Sequence, residues 1–437
     1  MSVGVFTVLL ALSVLIFFVA GLPVAFTLGG IAMIFGLILW GPKALGIVAT
    51  TAISSVSNFI LLAIPLFLFM ALVLQSSGLA DSMFRAIHVW AGRLRGGLAM
   101  GVVIVCTFMA AMVGVIGPGV MTMGTIALPA MLKRGYDKYM SLGVIMAGGA
   151  LGMLIPPSID MIVYSSIAKV SLGKMFAGGI IPGLILSTLY IIYIGVRCKL
   201  NPAVGPPAPL EERSSWKDKA IALKDVILAF FLIISVLGSI FFGLATPTEA
   251  AAIGGVGAIL CSIIYRRFSL KVLKDSAMGT MKFWGMVAWM VIGASLFGNI
   301  YMFSGGVHLL EGIVETMHLS PWAVIILMQI SILLLGCFMD DFVVVLLTTP
   351  LYVPMITSLG FDPLWFGVLM MVNLQVAFLT PPYGFALFYM RGVVPKGITM
   401  RDIYISILPF IGLQLIGLVL CMVFPQLITW LPGIIMG

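Results

Sequence analysis

The sequence predicts an all-α polytopic membrane protein, arranged as an inverted repeat of broken helices. Three observations carry this. Of 437 residues, 62% are hydrophobic and only 9% charged, against roughly 25% charged in a soluble domain, so lipid must cover most side chains. Charge-free runs such as 1–42, 44–80, 96–132 and 283–310 recur, each longer than the ~20 apolar residues that cross a ~30 Å hydrocarbon core. A Pro-Pro motif with matching flanks occurs once in each half. The period-two alternation of a membrane barrel is absent, which leaves helices as the spanning element.

The elements follow from where charge and helix breakers fall. Residues 1–22 lack a basic leader region and a small-residue cleavage site, so they read as a retained first helix. Full crossings are expected at about 5–22, 23–40, 97–132, 139–168, 175–196, 226–243, 248–264, 321–358, 363–390 and 402–424. The apolar segments 47–77 and 280–303, with polar residues at their centres, read as re-entrant hairpins. Residues 79–94 are amphipathic and suit an interfacial helix. Glu249, in Thr246-Pro247-Thr248-Glu249, reads as a helix start. The hydrophilic insert 197–225 carries ten charges and divides the chain into a first membrane half (1–196), a cytoplasmic linker (197–225) and a second membrane half (226–437). The five cysteines, 106, 198, 261, 337 and 421, show no CxxC pairing and read as core thiols.

The formal net charge of +8 is a topology signal rather than a nucleic-acid footprint, because the basic residues sit between spans. With 197–225 on the cytoplasmic side, 17 of the 23 basic residues lie inside, in accord with the positive-inside rule. Lys43, Arg85, Arg93, Arg95, Lys169, Lys174 and both termini fall outside. The group from Arg85 to Arg95 fits that rule poorly.

Leu154-Ile155-Pro156-Pro157 matches Leu379-Thr380-Pro381-Pro382, 225 positions later. Pro129 pairs with Pro354, Gly135 with Gly360 and Asp137 with Asp362 at the same offset, and Gly143 with Gly367 one position short of it. The two Pro-Pro helices cross in opposite directions in this topology. An inverted repeat marks a secondary transporter, whose site lies near the midplane where broken helices meet.

Candidate site residues are the polar or helix-breaking ones in apolar surroundings. Gly114, Gly117, Pro118 and Gly119 interrupt the first half, since an interior Pro costs ~3 kcal/mol and a Gly ~1 kcal/mol relative to Ala; a Pro kink with close helix packing is the plainer alternative. Gly336 with Asp340 and Asp341 interrupts the second, and intramembrane carboxylates default to function, although a helix-end pair facing water would look the same. The Pro-Pro breaks add Ser158, Asp160, Thr380, Tyr383 and Gly384. The expected hairpin tips supply Ser54, Ser55, Ser57 and Asn58, then Ser295, Gly298 and Asn299, where helix-packing serines are the alternative. Arg391 is the nearest basic residue after the second break, and also reads as a positive-inside anchor. No HExxH or GxxxxGK[ST] motif occurs, which removes the zinc-hydrolase and P-loop classes; a channel fits an inverted repeat with hairpins less well than alternating access does.

Over nearly its whole length the chain resembles the large membrane subunit of the TRAP transporters, the tripartite ATP-independent periplasmic family. The resemblance rests on the run from Gly148 to Ser158 (GGALGMLIPPS), the run from Ala245 to Ala250 (ATPTEA), Leu379-Thr380-Pro381-Pro382-Tyr383-Gly384, the closing run from Phe424 to Pro432, and the run from Asn58 to Pro65. It implies an elevator-type, sodium-driven importer of organic acids in the bacterial inner membrane. Such a transporter works with a small four-helix membrane subunit and a periplasmic substrate-binding protein, with the lipid bilayer as its solvent. By analogy, Na+ would be held by Ser54 and Ser55 with Gly114, Gly117 and Gly119, and by Gly298 with Gly336 and Asp340. Substrate would meet Ser57, Asn58, Ser158, Ser295, Asn299, Thr380 and Arg391. Two positions depart from the family pattern: Gly117-Pro118-Gly119 stands where a Ser-Gly-Ser break is common, and Asp160 where an apolar residue or proline is. An ion-coupled carboxylate carrier that needs no binding protein is the competing expectation.

Overall fold

The computed structural model describes residues 2–91, 94–207 and 216–436; among them are twenty α-helices and no strand. The chain opens with α1 (Val3–Val19) and α2 (Val24–Trp40), turns into α3 (Ala44–Val56), and continues after a 3-10 turn at Phe59–Leu62 as α4 (Ala63–Ser76) and α5 (Leu79–Ala91). Next come α6 (Gly97–Val113), α7 (Ile116–Lys133), α8 (Lys138–Ala150), α9 (Ile159–Ala168) and α10 (Leu172–Leu200). The second half holds α11 (Trp216–Phe241), α12 (Pro247–Ile264), α13 (Leu270–Phe303), α14 (Gly306–Thr316), α15 (Pro321–Phe338), α16 (Asp341–Ser358), α17 (Pro363–Leu379), α18 (Phe385–Val393), α19 (Met400–Val423) and α20 (Gln426–Met436). Eight described segments are long and apolar enough to cross a membrane, and large apolar side chains such as Phe231, Phe242, Leu260 and Ile264 are exposed on the outside. This is a multi-pass membrane protein.

Each match between the halves marks the same structural device used twice. Pro129 lies inside α7 and Pro354 inside α16. Gly135 and Gly360 both take positive φ, 75° and 83°, in the turn that follows those helices. Asp137 then caps α8, accepting from the Met140 amide at 2.9 Å, as Asp362 caps α17, accepting from Leu364 at 2.8 Å; such caps satisfy first-turn amides that the helix itself leaves free. Gly143 and Gly367 are points of close approach, where a Cβ would lie 2.4 Å from the Ser406 carbonyl and 2.2 Å from the Tyr164 ring. Both Pro-Pro bonds are cis. The broken helices α8 and α17 are buried almost all round, the pattern of helices at the centre of a bundle.

The structure moves the hairpins. The expected crossing at 97–132 enters and leaves on one side. The Gly96 amide donates to the Gly205 carbonyl at 2.8 Å and the Asp137 amide to the Val204 carbonyl at 3.0 Å. The Leu98 amide also donates to the Tyr136 hydroxyl at 3.2 Å. The start of α6 and the end of α7 therefore share one loop. The expected crossing at 321–358 behaves likewise, because Trp322 at the start of α15 packs edge-on against Phe361 and Trp365 beyond the end of α16. Each 36- to 38-residue run is long enough for two limbs, and a two-residue break folds it back.

The segments 47–77 and 280–303 are not re-entrant hairpins. Residues 280–303 belong to the continuous 34-residue helix α13, about 51 Å long at 1.5 Å per residue. Its polar and small residues serve helix packing: Gly293 meets the backbone at Ala25 and Gly29, and Asn299 Nδ2 donates to Thr51 Oγ1 at 3.0 Å. Helix α4 runs along α12 as a span of its own, from Thr248, whose hydroxyl donates to the Phe59 carbonyl, to Gly254, which meets Met70.

The corrected topology also repairs the charge asymmetry. Trp90 of α5 donates to the Lys219 carbonyl at 3.2 Å, and Arg134 lies beside His88. Helix α5, with Arg85, thus lies on the face that carries 201–205, and Arg95 precedes α6 on that same face. Among the described residues, Lys43, Lys169 and Lys174 remain opposite; Arg93 lies outside the described residues. On the basic face Lys138 of α8 and Asp402 of α19, one from each repeat, pair at 2.7 Å. The expected linker is shorter than 197–225. Helix α10 runs on to Leu200, a 3-10 turn covers Pro202–Val204, α11 begins at Trp216, and 208–215, including Pro209 and Arg213, lie outside the described residues. The Glu249 helix start is present as a capping box with Thr246, and all five cysteines are buried and free.

Candidate functional site

Four interrupted helices point their ends at one another. At the first hairpin tip α6 stops at Gly114, with φ of 67°, and Val115 is extended before α7 begins. The Gly114 carbonyl accepts from the Ile159 amide at 3.3 Å, and a Cβ on Gly114 would lie 2.4 Å from the Pro157 carbonyl. The first tip is therefore seated on the first Pro-Pro break. At the second tip α15 stops at an extended Met339, and Asp340 caps α16, its carboxylate accepting from the Phe342 amide at 3.2 Å. The second tip reaches across to α9, which packs against α16: the carboxyl group of Asp160 is an electrostatic neighbour of both Asp340 and Asp341. Tyr389 of α18, after the second Pro-Pro break, lies near both Asp340 and Asp341.

These ends enclose one side of a cavity of about 310 Å³, lined by 115–118 and 340–342, Phe378 and Tyr389, and closed by Leu68 and Leu72 of α4 and Gly279, Phe283 and Met286 of α13. Repeat elements form one wall and the long framework helices the other. A more apolar hollow elsewhere, between Phe108 and Phe230, lacks the convergent polar groups that define a solute site.

Helix ends decide what this place can hold. The last carbonyls of α6 and α15 lack intrahelical donors and carry partial negative charge, whereas the first amides of α9 and α16 carry partial positive charge. No described group of three His, Cys, Asp or Glu side chains is gathered tightly enough to hold a metal alone, so a cation here depends on carbonyls as much as on carboxylates. That all-oxygen donor set is the kind that hard cations take.

The structure brings together only part of the expected site. Gly117 and Asp340 line the cavity, and Gly114 forms the first tip. Ser158 caps α9, accepting from the Met161 amide at 3.4 Å, and Thr380 ends α17 with its hydroxyl on the Val376 carbonyl at 2.7 Å. Gly119 and Gly336 are packing positions, against Gly149 and Ala377. Arg391 is exposed, its guanidinium donating to the Ile398 carbonyl beyond α18, away from the cavity lining. Ser54 donates to the Thr51 carbonyl within α3, and Ser55 sits in the same helix. Ser57 caps the end of α3, while Asn58 donates to Ser166 at the far end of α9, 2.7 Å away. Ser295, Gly298 and Asn299 are interior to α13. None of these last seven lines the cavity, because the tips they were assigned to are not tips.

Sequence reasoning did not place Tyr389, Phe283, Phe342 or Phe378 in the site. Phe342 was within reach, being next to the Asp pair it shares a turn with. Nothing in the one-dimensional pattern sets Phe283 or Phe378 apart from core aromatics.

The protein-family model described as "Tripartite ATP-independent periplasmic transporter, DctM component" matches residues 9–427. The chain is 30% identical to the C4-dicarboxylate TRAP transporter large permease protein DctM of Vibrio cholerae, over 96% of each chain. It is 28% identical to the sialic acid TRAP transporter large permease protein SiaM of the same species, again over 96% of each. Among solved structures, the YdaH transporter of Alcanivorax borkumensis superposes with a TM-score of 0.69, covering 92% of this chain and 97% of that one; its 14% identity makes this a likeness of fold.

Proposed function

This chain belongs to the DctM component family of the tripartite ATP-independent periplasmic transporters, and we propose that it is the large permease subunit of a sodium-coupled importer of organic acids in the bacterial inner membrane. A soluble periplasmic binding protein delivers the solute, and a small membrane subunit completes the permease. The observation that carries this reading is the meeting of two hairpins, each entering from the face opposite the other's, at a single cavity beside both Pro-Pro breaks. Broken helices converging at the midplane are what alternating access about one site requires.

Sodium supplies the driving force when bound. The residues that would hold it are Asp340 and the carbonyl ends of α6 and α15 at the tips. Helices α6 to α10 with α15 to α19 form the block that moves, and α1 to α4 with α11 to α14 the framework it slides against; the cavity lies on the boundary between them. The relatives' names speak of C4-dicarboxylate and sialic acid, both organic acids, which supports that cargo class here.

Uptake of labelled organic acids into liposomes holding this chain and its small subunit tests the reading. Uptake should require both an inward sodium gradient and the cognate binding protein. Uptake that ignores sodium would remove the coupling, and uptake that ignores the binding protein would favour a stand-alone carrier.

A further inference from the structure

The charge of the cavity narrows the cargo. In transporters built from broken helices, the positive N-terminal ends of half-helices are where an anionic solute group sits. Here two such ends are already answered by the chain itself: Asp160 lies in the first turn of α9, and Asp340 and Asp341 occupy the cap and first turn of α16. Asp160 is fully buried, and neither of its carboxylate oxygens has a hydrogen-bond donor. Helix α9 packs against α16, which makes Asp160 a charged neighbour of the Asp340–Asp341 pair, and that pair lines the cavity.

The charged groups around this pair are all acidic. Helix α16 contributes Asp340 and Asp341. Helices α4, α10 and α17, packed on α9, bring no cation to it, because Lys174 starts α10 at its far end and Tyr164 of α9 is held by the Pro363 carbonyl at 2.6 Å. Among the described residues no Lys, Arg or His lines the cavity. With Asp340 assigned to sodium, three neighbouring carboxylates share at most that one cation and no cationic side chain of the cavity lining answers Asp341; intramembrane carboxylates of this kind pair with something positive. The remaining wall is aromatic, with Phe283, Phe342, Phe378 and Tyr389, and aromatic faces attract organic cations.

We propose that the solute carried by this site bears an ammonium or comparable organic cation as well as its carboxylate, so that the cargo is a zwitterion rather than a dianion. The cationic group docks against Asp341, with Asp160 behind it and the aromatic rings beside it. This inference rests on the transport reading above, and deepens it.

The test is ligand binding to the full chain with its small subunit in lipid nanodiscs, read as a shift in unfolding temperature and as a dissociation constant. Glycine betaine, γ-aminobutyrate and succinate are the probes, each in sodium chloride and in potassium chloride. At least one zwitterion should bind and succinate should not. Asp341→Asn and Asp160→Asn should each weaken zwitterion binding by about tenfold or more, as expected when one side of a buried charge pair is removed. Succinate binding to the unaltered protein as tightly as either zwitterion, no binding of either zwitterion, or unchanged binding in both variants would overturn the inference; the panel on the unaltered protein decides even where a variant fails to fold. Zwitterion binding of equal strength in both salts would remove sodium coupling and leave this inference standing. Succinate binding as tight as that of either zwitterion, and in sodium alone, would do the reverse.

Discussion

The two hairpin tips are the same backbone device with opposite chemistry. The first turns on Gly114 and presents Val115, Ile116, Gly117 and Pro118 to the cavity, with no charged side chain. The second turns on an extended Met339 and presents Asp340 and Asp341. One tip can act only through its main chain, whereas the other adds two carboxylates to the same kind of helix end. An inverted repeat thus conserves geometry, at the breaks, caps and close-approach glycines, while leaving side-chain chemistry free to differ between the halves. The first tip should therefore be sensitive to backbone shape and the second to charge.

The largest expected effect falls on the first tip. Gly114→Ala places a Cβ 2.4 Å from the Pro157 carbonyl on a residue at positive φ. Left-handed backbone at a non-glycine residue costs roughly 1–3 kcal/mol, and backbone cannot retreat as a flexible side chain can. Unfolding temperature in nanodiscs should fall by several degrees and uptake should be lost with it. Retained stability would mean that the tip is not seated on the Pro-Pro break. Asp340→Asn at the second tip should do the converse, leaving the unfolding temperature near that of the parent while the sodium concentration for half-maximal uptake rises by about tenfold or more. An unchanged sodium dependence would strike Asp340 from the ion site.

Gly117→Ala sits between these two. Its Cβ would come within 3.0 Å of the Tyr389 ring, a side chain that can give way, so uptake should drop a few-fold with little loss of stability. Tyr389→Ala should relieve part of that loss, as coupled neighbours do in a double-mutant cycle. Equal defects in Gly117→Ala with and without Tyr389→Ala would show that the ring does not gate the tip.

The repeat was legible in the sequence because its markers are chemical necessities. A Gly at positive φ, an Asp cap and a Pro-Pro break are devices few other residues can supply, so Gly135 and Gly360, Asp137 and Asp362, and the two Pro-Pro pairs announced themselves. The hairpins were misplaced because length is ambiguous. A 36-residue apolar run is one tilted span or two short limbs, and only the contacts of Gly96, Leu98 and Asp137 decide between them. The same ambiguity stranded Arg85 and Arg95 on the wrong face, and their poor fit to the positive-inside rule was the one trace of the error visible in the sequence. Ser295 and Asn299 misled for a different reason: a polar residue in an apolar helix signals a need for a partner, and that partner can be a neighbouring helix as readily as a solute.

Asn299 therefore gives the smallest effect, and the one that tests whether hairpin and packing residues have been told apart. Its amide donates to Thr51 across the contact of α13 with α3, far along α13 from Gly279, Phe283 and Met286, which line the cavity. Hydrogen bonds between membrane helices average about 0.6 kcal/mol in double-mutant cycles. Asn299→Ala should lower the unfolding temperature by no more than a degree or two and leave both sodium dependence and solute affinity unchanged. A stability loss that Thr51→Ala reproduces without adding to it would confirm the pair as helix packing. A selective loss of sodium dependence at full stability would return Asn299 to the ion site, and with it the reading of 280–303 as a functional tip.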